Sequence, residues 1–245
     1  MPETTLHSIR FPAESPAYRS ARDELLQAEI DLRKQLEAVA ALRRTLPLGG
    51  PLKEDYVFEE AGTDLDPAAP REVRPSELFR PGMDSLALYS FMFGPEMAEA
   101  CPSCTSILDG LNGSMPHVLR RINMAIVAKS PAERIRAFAR ERGWRNLRLL
   151  SSAGTTYNAD YHGERADGAQ IPSLNVFVRR GGRIHHFYNT ELLFAPPEPG
   201  QDGRHVDLIW PVWNLFDLTP EGRGTGWNPR LSYDPQPAGG SSGSR

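Results

Sequence analysis

The chain has 245 residues, 28 Lys and Arg against 31 Asp and Glu, a net charge of -3, and 24% charged residues. That length supports one sizeable core with appendages. The balanced charge, with no basic stripe interleaved with aromatics, argues against a nucleic-acid partner. The longest apolar run, "LALYSFMF" at 86–93, is too short to span a bilayer, so no membrane partner is expected. "MPETTLHSIRFPAESP" lacks a basic start followed by an apolar run, so no secretory signal is expected and the protein reads as cytoplasmic.

Residues 1–15 read as a loose arm. From 16 to 45 the chain is proline-free after Pro16, and Leu25, Leu32 and Val39 recur every seven residues with Ala28, Leu36 and Leu42 nearby. This predicts a long amphipathic helix that either packs on its own domain or, with only three heptads, contributes to a homodimer. "LPLGGPL" ends it, so 1–50 is one organisational unit. Residues 51–233 form the main domain, and the tail 234–245, "DPQPAGGSSGSR", is expected to be disordered.

The main domain opens with a short β-like run, "KEDYVFEE" (53–60), and a proline-rich loop over 61–75. Then strands and helices alternate. "SLALYSFMF" (85–93) is a buried strand, 105–122 a helix with a break or kink around Gly113 to Pro116, and "NMAIVAKS" (123–130) a second strand. Residues 131–144 form a helix with Ser130 as N-cap, Pro131 at its first position and Ile135, Phe138 and Ala139 inward. "NLRLLSS" (146–152) is a third strand. "SLNVFVRRGGRIHHFYNT" (173–190) is a hairpin turning at Arg180–Gly181–Gly182, and the aromatic segment 205–219 is a helical cover for the sheet. Helix-length crossovers imply parallel neighbours, and the hairpin adds antiparallel strands at one end. The fold class is α/β, with a mixed sheet flanked by helices.

The two cysteines, Cys101 and Cys104, stand in "FGPEMAEACPSCTSILDGL" (93–111) at the start of a helix. Two are too few for a disulfide scaffold, and C-x-x-C spacing places both sulfurs in one turn. The first thiol lies beside free N–H groups and the positive end of the helix dipole, which lower its pKa. Cys101 is therefore the expected attacking thiolate and Cys104 the shielded, resolving thiol. Pro102 sets a helical φ where no donor is needed. Other uses of the pair are a structural zinc site, which needs four ligands and could draw only on His162, His185 or His186, and two inert buried thiols. A c-type haem needs His directly after the second cysteine, where Thr105 stands. No metal or other cofactor is expected.

The order strand, C-x-x-C, helix, with "AQIPSLNVFVRRGGRI" (169–184) downstream, resembles thioredoxin. In that superfamily an Ile-Pro-Thr-type peptide opens a strand and its proline is cis and faces the cysteines. The resemblance implies that Ile171–Pro172 is that peptide, with Ser173 following, and that Pro102, Ser103, Ile171, Pro172 and Ser173 line the substrate site. A proline at a strand start leaves an unpaired backbone edge where a substrate chain can pair. Taken with "ARDELLQAEIDLRKQLEAVAALRRTLP", "DYVFEE", "ERIRAFARERGW" and "NLFDLTPEGRG", the chain resembles over about 20–230 a bacterial family of unknown function whose members are often labelled predicted dithiol-disulfide oxidoreductases. The resemblance implies a thioredoxin-like fold, a protein or small-molecule disulfide as substrate, and a thiol reductant as partner.

Against thioredoxin itself, Ala100 replaces the usual Trp, the preceding strand holds no acid to relay protons, and Glu96 and Glu99 would oppose thiolate formation if close to Cys101. A peroxiredoxin-like thiol peroxidase needs Pro and Thr or Ser seven and three residues before its cysteine. Those positions are Gly94 and Ala98 before Cys101, and Met97 and Cys101 before Cys104, so such a peroxidase would have an atypical motif. A non-catalytic scaffold using the long helix is the other alternative. The polar loop 151–163, with Thr155, Tyr157, Asn158, Tyr161 and His162, either lines a substrate pocket or is a plain surface loop. His185 and His186 should point to opposite sheet faces, and Trp210, Trp213 and Phe216 are expected to serve as core cover.

Overall fold

A computed structural model describes residues 6–62, 70–201 and 203–233. The expected disordered tail and part of the 61–75 loop lie outside the described residues. Met1–Pro47 and Leu48–Arg245 are two compact units. In the first, helix α1 (Pro16–Arg44) begins where the Ser15 side chain accepts the Tyr18 N–H at 3.1 Å. Arg19 ties Glu14 and Asp23 together across its first turns. None of its residues is buried, and Leu25, Leu32, Leu36 and Leu42 are 47–66% exposed.

The second unit is built on one seven-stranded mixed sheet. The strands are β1 (Phe58–Glu60), β2 (Arg71–Val73), β3 (Ser85–Ser90), β4 (Asn123–Ala128), β5 (Leu149–Ser151), β6 (Ser173–Arg180) and β7 (Arg183–Asn189), in the order β2-β1-β5-β4-β3-β6-β7. Helix α2 (Pro102–Val118) joins β3 to β4, and α3 (Ala132–Arg142) joins β4 to β5, so β3, β4 and β5 run parallel. The β6–β7 hairpin lies antiparallel to β3 and turns at Gly181 and Gly182, with φ of 56° and 77°. Two glycines in the left-handed region are what a tight two-residue hairpin requires. The strand, dithiol helix, strand, helix order closed by an antiparallel hairpin is the expected thioredoxin-like mixed sheet.

Alternation along the strands splits the core in two. Ala87, Tyr89, Met124, Ile126 and Leu149 face α2 and α3 in one cluster, which Trp144, Val206 and Trp210 complete. Leu86, Leu88, Ala125, Val127, Leu150 and Phe177 face the other way, against Tyr56, Phe58, Leu78 and Tyr157. A short helix α4 (Tyr157–Asp160) supplies that last residue. Past the hairpin come two 3-10 turns, Glu191–Leu193 and Asp207–Ile209, then α5 (Pro211–Phe216), and Trp210 donates its indole N–H to Ser106 Oγ on α2 at 3.1 Å.

Three local expectations change. The proline-rich 61–75 stretch contains β2, which pairs with β1 and so extends the sheet. Ser130 does not cap α3: Pro131 is the N-cap, while the Ser130 hydroxyl donates to the Gly94 carbonyl at 3.2 Å. The helix that the cysteines open runs from Pro102 to Val118 with no break at Gly113 to Pro116, because Pro116 falls in its last turn, and it ends before 122.

Candidate active site

Cys101 is the N-cap of α2, with φ -61° and ψ 121°, and Pro102 is the first helical residue. The cap geometry turns the Cys101 side chain to the open start of the helix, partly exposed, while Cys104 falls one turn in on the inner face and is 1% exposed. The Cys104 thiol and the Ser103 and Cys104 N–H groups beside the Cys101 sulfur outweigh burial and hold the Cys101 pKa at about 6, below its ordinary 9.0. Those N–H groups do not meet the geometry of a full cap hydrogen bond, so they act as close dipoles. Cys104 moves the opposite way, its pKa raised first by the neighbouring Cys101 sulfur and then by burial. Glu96 and Glu99 are exposed, and neither is among the causes that shift Cys101.

The approach loop 94–100 has a dedicated support that the sequence did not suggest. From α3, Arg134 Nη1 donates to the carbonyls of Gly94 and Pro95 at 3.1 and 3.3 Å. Its Nη2 donates to the Ala98 carbonyl at 3.0 Å and to that of Met97. The guanidinium carbon stands 4.3 Å from the Phe93 ring centroid. A planar five-donor group can satisfy several carbonyls of an irregular loop at once, which lysine cannot. The loop then delivers Cys101, whose N–H donates to the Met92 carbonyl at 3.0 Å.

Ser173 opens β6 opposite Ser90, the last residue of β3, so the Ile171–Pro172–Ser173 segment reaches the sheet at the end from which the cysteine loop departs. The Ser173 side chain is fully buried and its hydroxyl lies 3.5 Å from Ser90 Oγ, whereas Ile171 and Pro172 are partly exposed. The segment is braced by Gln170, which bonds to Glu164 and accepts from Asn158, and Glu164 in turn pairs with Lys129 at 2.6 Å. Gln170 also lies against Gly94: a Cβ there would come within 3.0 Å of its Cγ.

The 151–163 loop divides. Tyr157 and Asn158 are buried, whereas Tyr161 and His162 line a cleft of about 640 Å³ with Asn175, His186, Asn189 and Phe194. Tyr161 and His186 pack on Phe177, so this cleft adjoins the sheet face away from α2. His185 and His186 turn apart, one to the Gly49 carbonyl and the other to Asn175 Oδ1 at 3.0 Å. A second residue that the sequence reading missed is Tyr89 on β3. Its hydroxyl donates to Cys104 Sγ at 3.3 Å, and burial raises its pKa well above the ordinary value. The only available signal was its inward position in the strand before the cysteines.

Fold and site together define a thioredoxin-like α/β protein carrying a paired thiol at the start of its first crossover helix. Residues 8–234 match the family described as bacterial protein of unknown function (DUF899), and the chain belongs to that family. No curated protein matches the sequence. Among solved structures the chain is similar to peroxidoxin BcpB from Mycobacterium tuberculosis, at 15% identity and a TM-score of 0.43 over 67% of this chain and 94% of that one. It is also similar to a peroxiredoxin-like protein from Aquifex aeolicus, at 14% identity and a TM-score of 0.42 over 59% and 75%. A third is the 2-Cys peroxiredoxin of Plasmodium vivax, at 14% identity and a TM-score of 0.43 over 58% and 84%. Among the described residues no helix is long and apolar enough to cross a membrane.

Proposed function

We propose that the protein is a dithiol-disulfide oxidoreductase in which Cys101 attacks and Cys104 resolves. The observation that carries this is the opposite displacement of the two thiols: Cys101 is partly exposed with a pKa of about 6, and Cys104 is buried with its pKa raised. Near neutral pH the first sulfur is largely thiolate, the nucleophilic form, and its pKa lies close to ambient pH, where attack is fastest. The Cys101 sulfur attacks a substrate disulfide; that S–S bond breaks, a mixed disulfide forms, and one substrate thiolate leaves and takes up a proton. Cys104 then loses its proton and attacks Cys101, releasing the second substrate thiol. The substrate disulfide gains two electrons, the protein pair loses two, and a thiol reductant in a reducing compartment restores it. Pro102 and Ser103 beside the thiolate, and Ile171 and Pro172 at the same end of the sheet, would flank the substrate; Ser173, expected there too, is fully buried against Ser90 and would only hold that segment in place.

The test is capture with Cys104→Ser. A partner joined through Cys101 would identify both the attacking thiol and the substrate. Two titratable thiols persisting in the folded protein, under oxidants that close other C-x-x-C pairs, would sink the reading. Oxidation by peroxide far faster than that of free cysteine would replace the disulfide substrate with a peroxide.

The exposed leucine stripe of α1 supports a second role, contact with a further copy of the chain. Leu25→Glu with Leu32→Glu should lower the assembled mass by light scattering and leave thiol reactivity unchanged; an unchanged mass ends this reading.

A further inference from the structure

The strand before the cysteines holds no acid, yet the resolving step requires a buried thiol to become an anion. Cys104 is 1% exposed and belongs to the apolar core cluster that also holds Ala100, Ile107 and Leu108. A sulfur anion formed there without a donor would be strongly disfavoured. The group in contact with it is the Tyr89 hydroxyl, 3.3 Å away, from a side chain that is itself fully buried on the same sheet face.

We infer that Tyr89 is a catalytic residue whose hydroxyl stabilises the Cys104 thiolate while it attacks the mixed disulfide on Cys101. This rests on the dithiol reading above. Neutral sulfur is a weak acceptor, so the contact contributes little while Cys104 is a thiol. As the proton leaves and charge gathers on sulfur, the same O–H becomes a donor to an anion, which roughly doubles the strength of a hydrogen bond. An interaction that grows as the charge develops accelerates the step, because it favours the transition state over the resting state. Tyr89 keeps its own proton throughout, since burial beside the sulfur disfavours its phenolate. It is therefore a donor and not a base. The proton from Cys104 passes to the departing substrate thiolate or to water, the Cys104–Cys101 bond forms, and the bond from Cys101 to the substrate sulfur breaks. Before substrate arrives, the Cys104 proton is engaged by the Cys101 thiolate. Once Cys101 is in a mixed disulfide that charge is gone, and the Tyr89 hydroxyl and the Met92 backbone are the groups that still favour the anion.

The experiment uses the reduced full chain and an aromatic disulfide, 5,5′-dithiobis(2-nitrobenzoate), in stopped flow. The wild type releases one coloured thiol as Cys101 is loaded and a second as Cys104 closes the ring. Tyr89→Phe keeps the ring and removes only the donor. It should leave the first phase and its pH midpoint unchanged and slow the second about 10- to 100-fold, the size expected for one hydrogen bond to a charged group. A second phase of wild-type speed overturns the inference, and so does equal slowing of both phases, which reports lost packing. Replacing all seven tyrosines with the more acidic 3-fluorotyrosine should speed the second phase alone; no change there counts against the role. A wild type that releases only one thiol per chain instead sinks the dithiol reading itself.

Discussion

The two faces of the sheet both bury tyrosines and employ them differently. On the face away from α2, the Tyr56 hydroxyl donates to Asp160 Oδ2 at 2.9 Å and Tyr161 accepts the Lys53 N–H at 3.2 Å. Tyr56, Phe58, Tyr157, Tyr161 and Phe177 pack edge to face or tilted, with centroids 5.0–6.5 Å apart apart from the stacked Tyr56–Phe58 pair at 6.1 Å. On the α2 face, Tyr89 meets a sulfur. Against burial, Lys53, Thr156 and Tyr56 lower the Asp160 pKa, so it stays ionised near neutral pH. Its bond to Tyr56 and the one from a backbone N–H to Tyr161 keep a settled strength there, whereas a hydroxyl that meets a titrating thiol makes a bond that changes with the protonation state. The distinction between structural and chemical use lies in the partner, not in the residue or its depth.

The strongest way to break this contrast is Cys101→Ser, which should abolish mixed-disulfide capture and two-electron oxidation, read by thiol titration and mass. Next comes pH. With a Cys101 pKa of about 6, its alkylation rate should level off above pH 7 and fall about tenfold for each unit well below pH 6, following the thiolate fraction. Stability carries the same signature. The unfolded thiol titrates near 9.0 and the folded one near 6, so between these values the unfolded state binds more protons and the reduced protein gains stability as pH rises. Urea unfolding at pH 6.5 and 8.5 should show that gain, and Cys101→Ser should lose it; a wild type with no such slope would contradict the lowered pKa.

A smaller effect is expected from Arg134→Lys, which leaves several approach-loop carbonyls unpaired. It should cost roughly 1–2 kcal/mol in chemical denaturation and slow the loading of Cys101, whereas an effect on stability alone would confine Arg134 to a structural role. The smallest is Tyr56→Phe on the opposite face. Loss of the bond to Asp160 should cost about 1 kcal/mol and leave both thiol phases as in the wild type. A changed second phase in this variant would mean that the two faces are coupled.

The scaffold was legible where residue pattern alone decides structure. β3 and β4 announce themselves as apolar runs, the β6–β7 turn by its paired glycines, and the placement of Cys101 at a helix start by the C-x-x-C spacing with Pro102. What escaped depends on atoms far apart in the chain. The Ser130 hydroxyl looked like a cap because the residue precedes a proline, but the buried Gly94 carbonyl competes for it. Arg134 went unnoticed, since nothing in the helix reports the loop it supports. β2 was hidden by surrounding prolines, although its pairing is backed by Arg71, which joins Arg148 in holding the largely buried Glu60 carboxylate. Tyr89 and Cys104 are fifteen residues apart, on different elements, and no local pattern couples them.

Gly94 carries a consequence for how the site is held together. Its missing side chain leaves the space that the Gln170 side chain occupies, so the loop leading to Cys101 and the loop bearing Pro172 meet closely there. This close approach of the two loops sits seven positions before Cys101. A single methyl added there would push the Gln170 side chain aside by a few tenths of an ångström and disturb its bonds to Glu164 and Asn158. Gly94→Ala should therefore loosen the brace on the Pro172 segment without touching either sulfur, which hydrogen exchange at residues 164–173 would show.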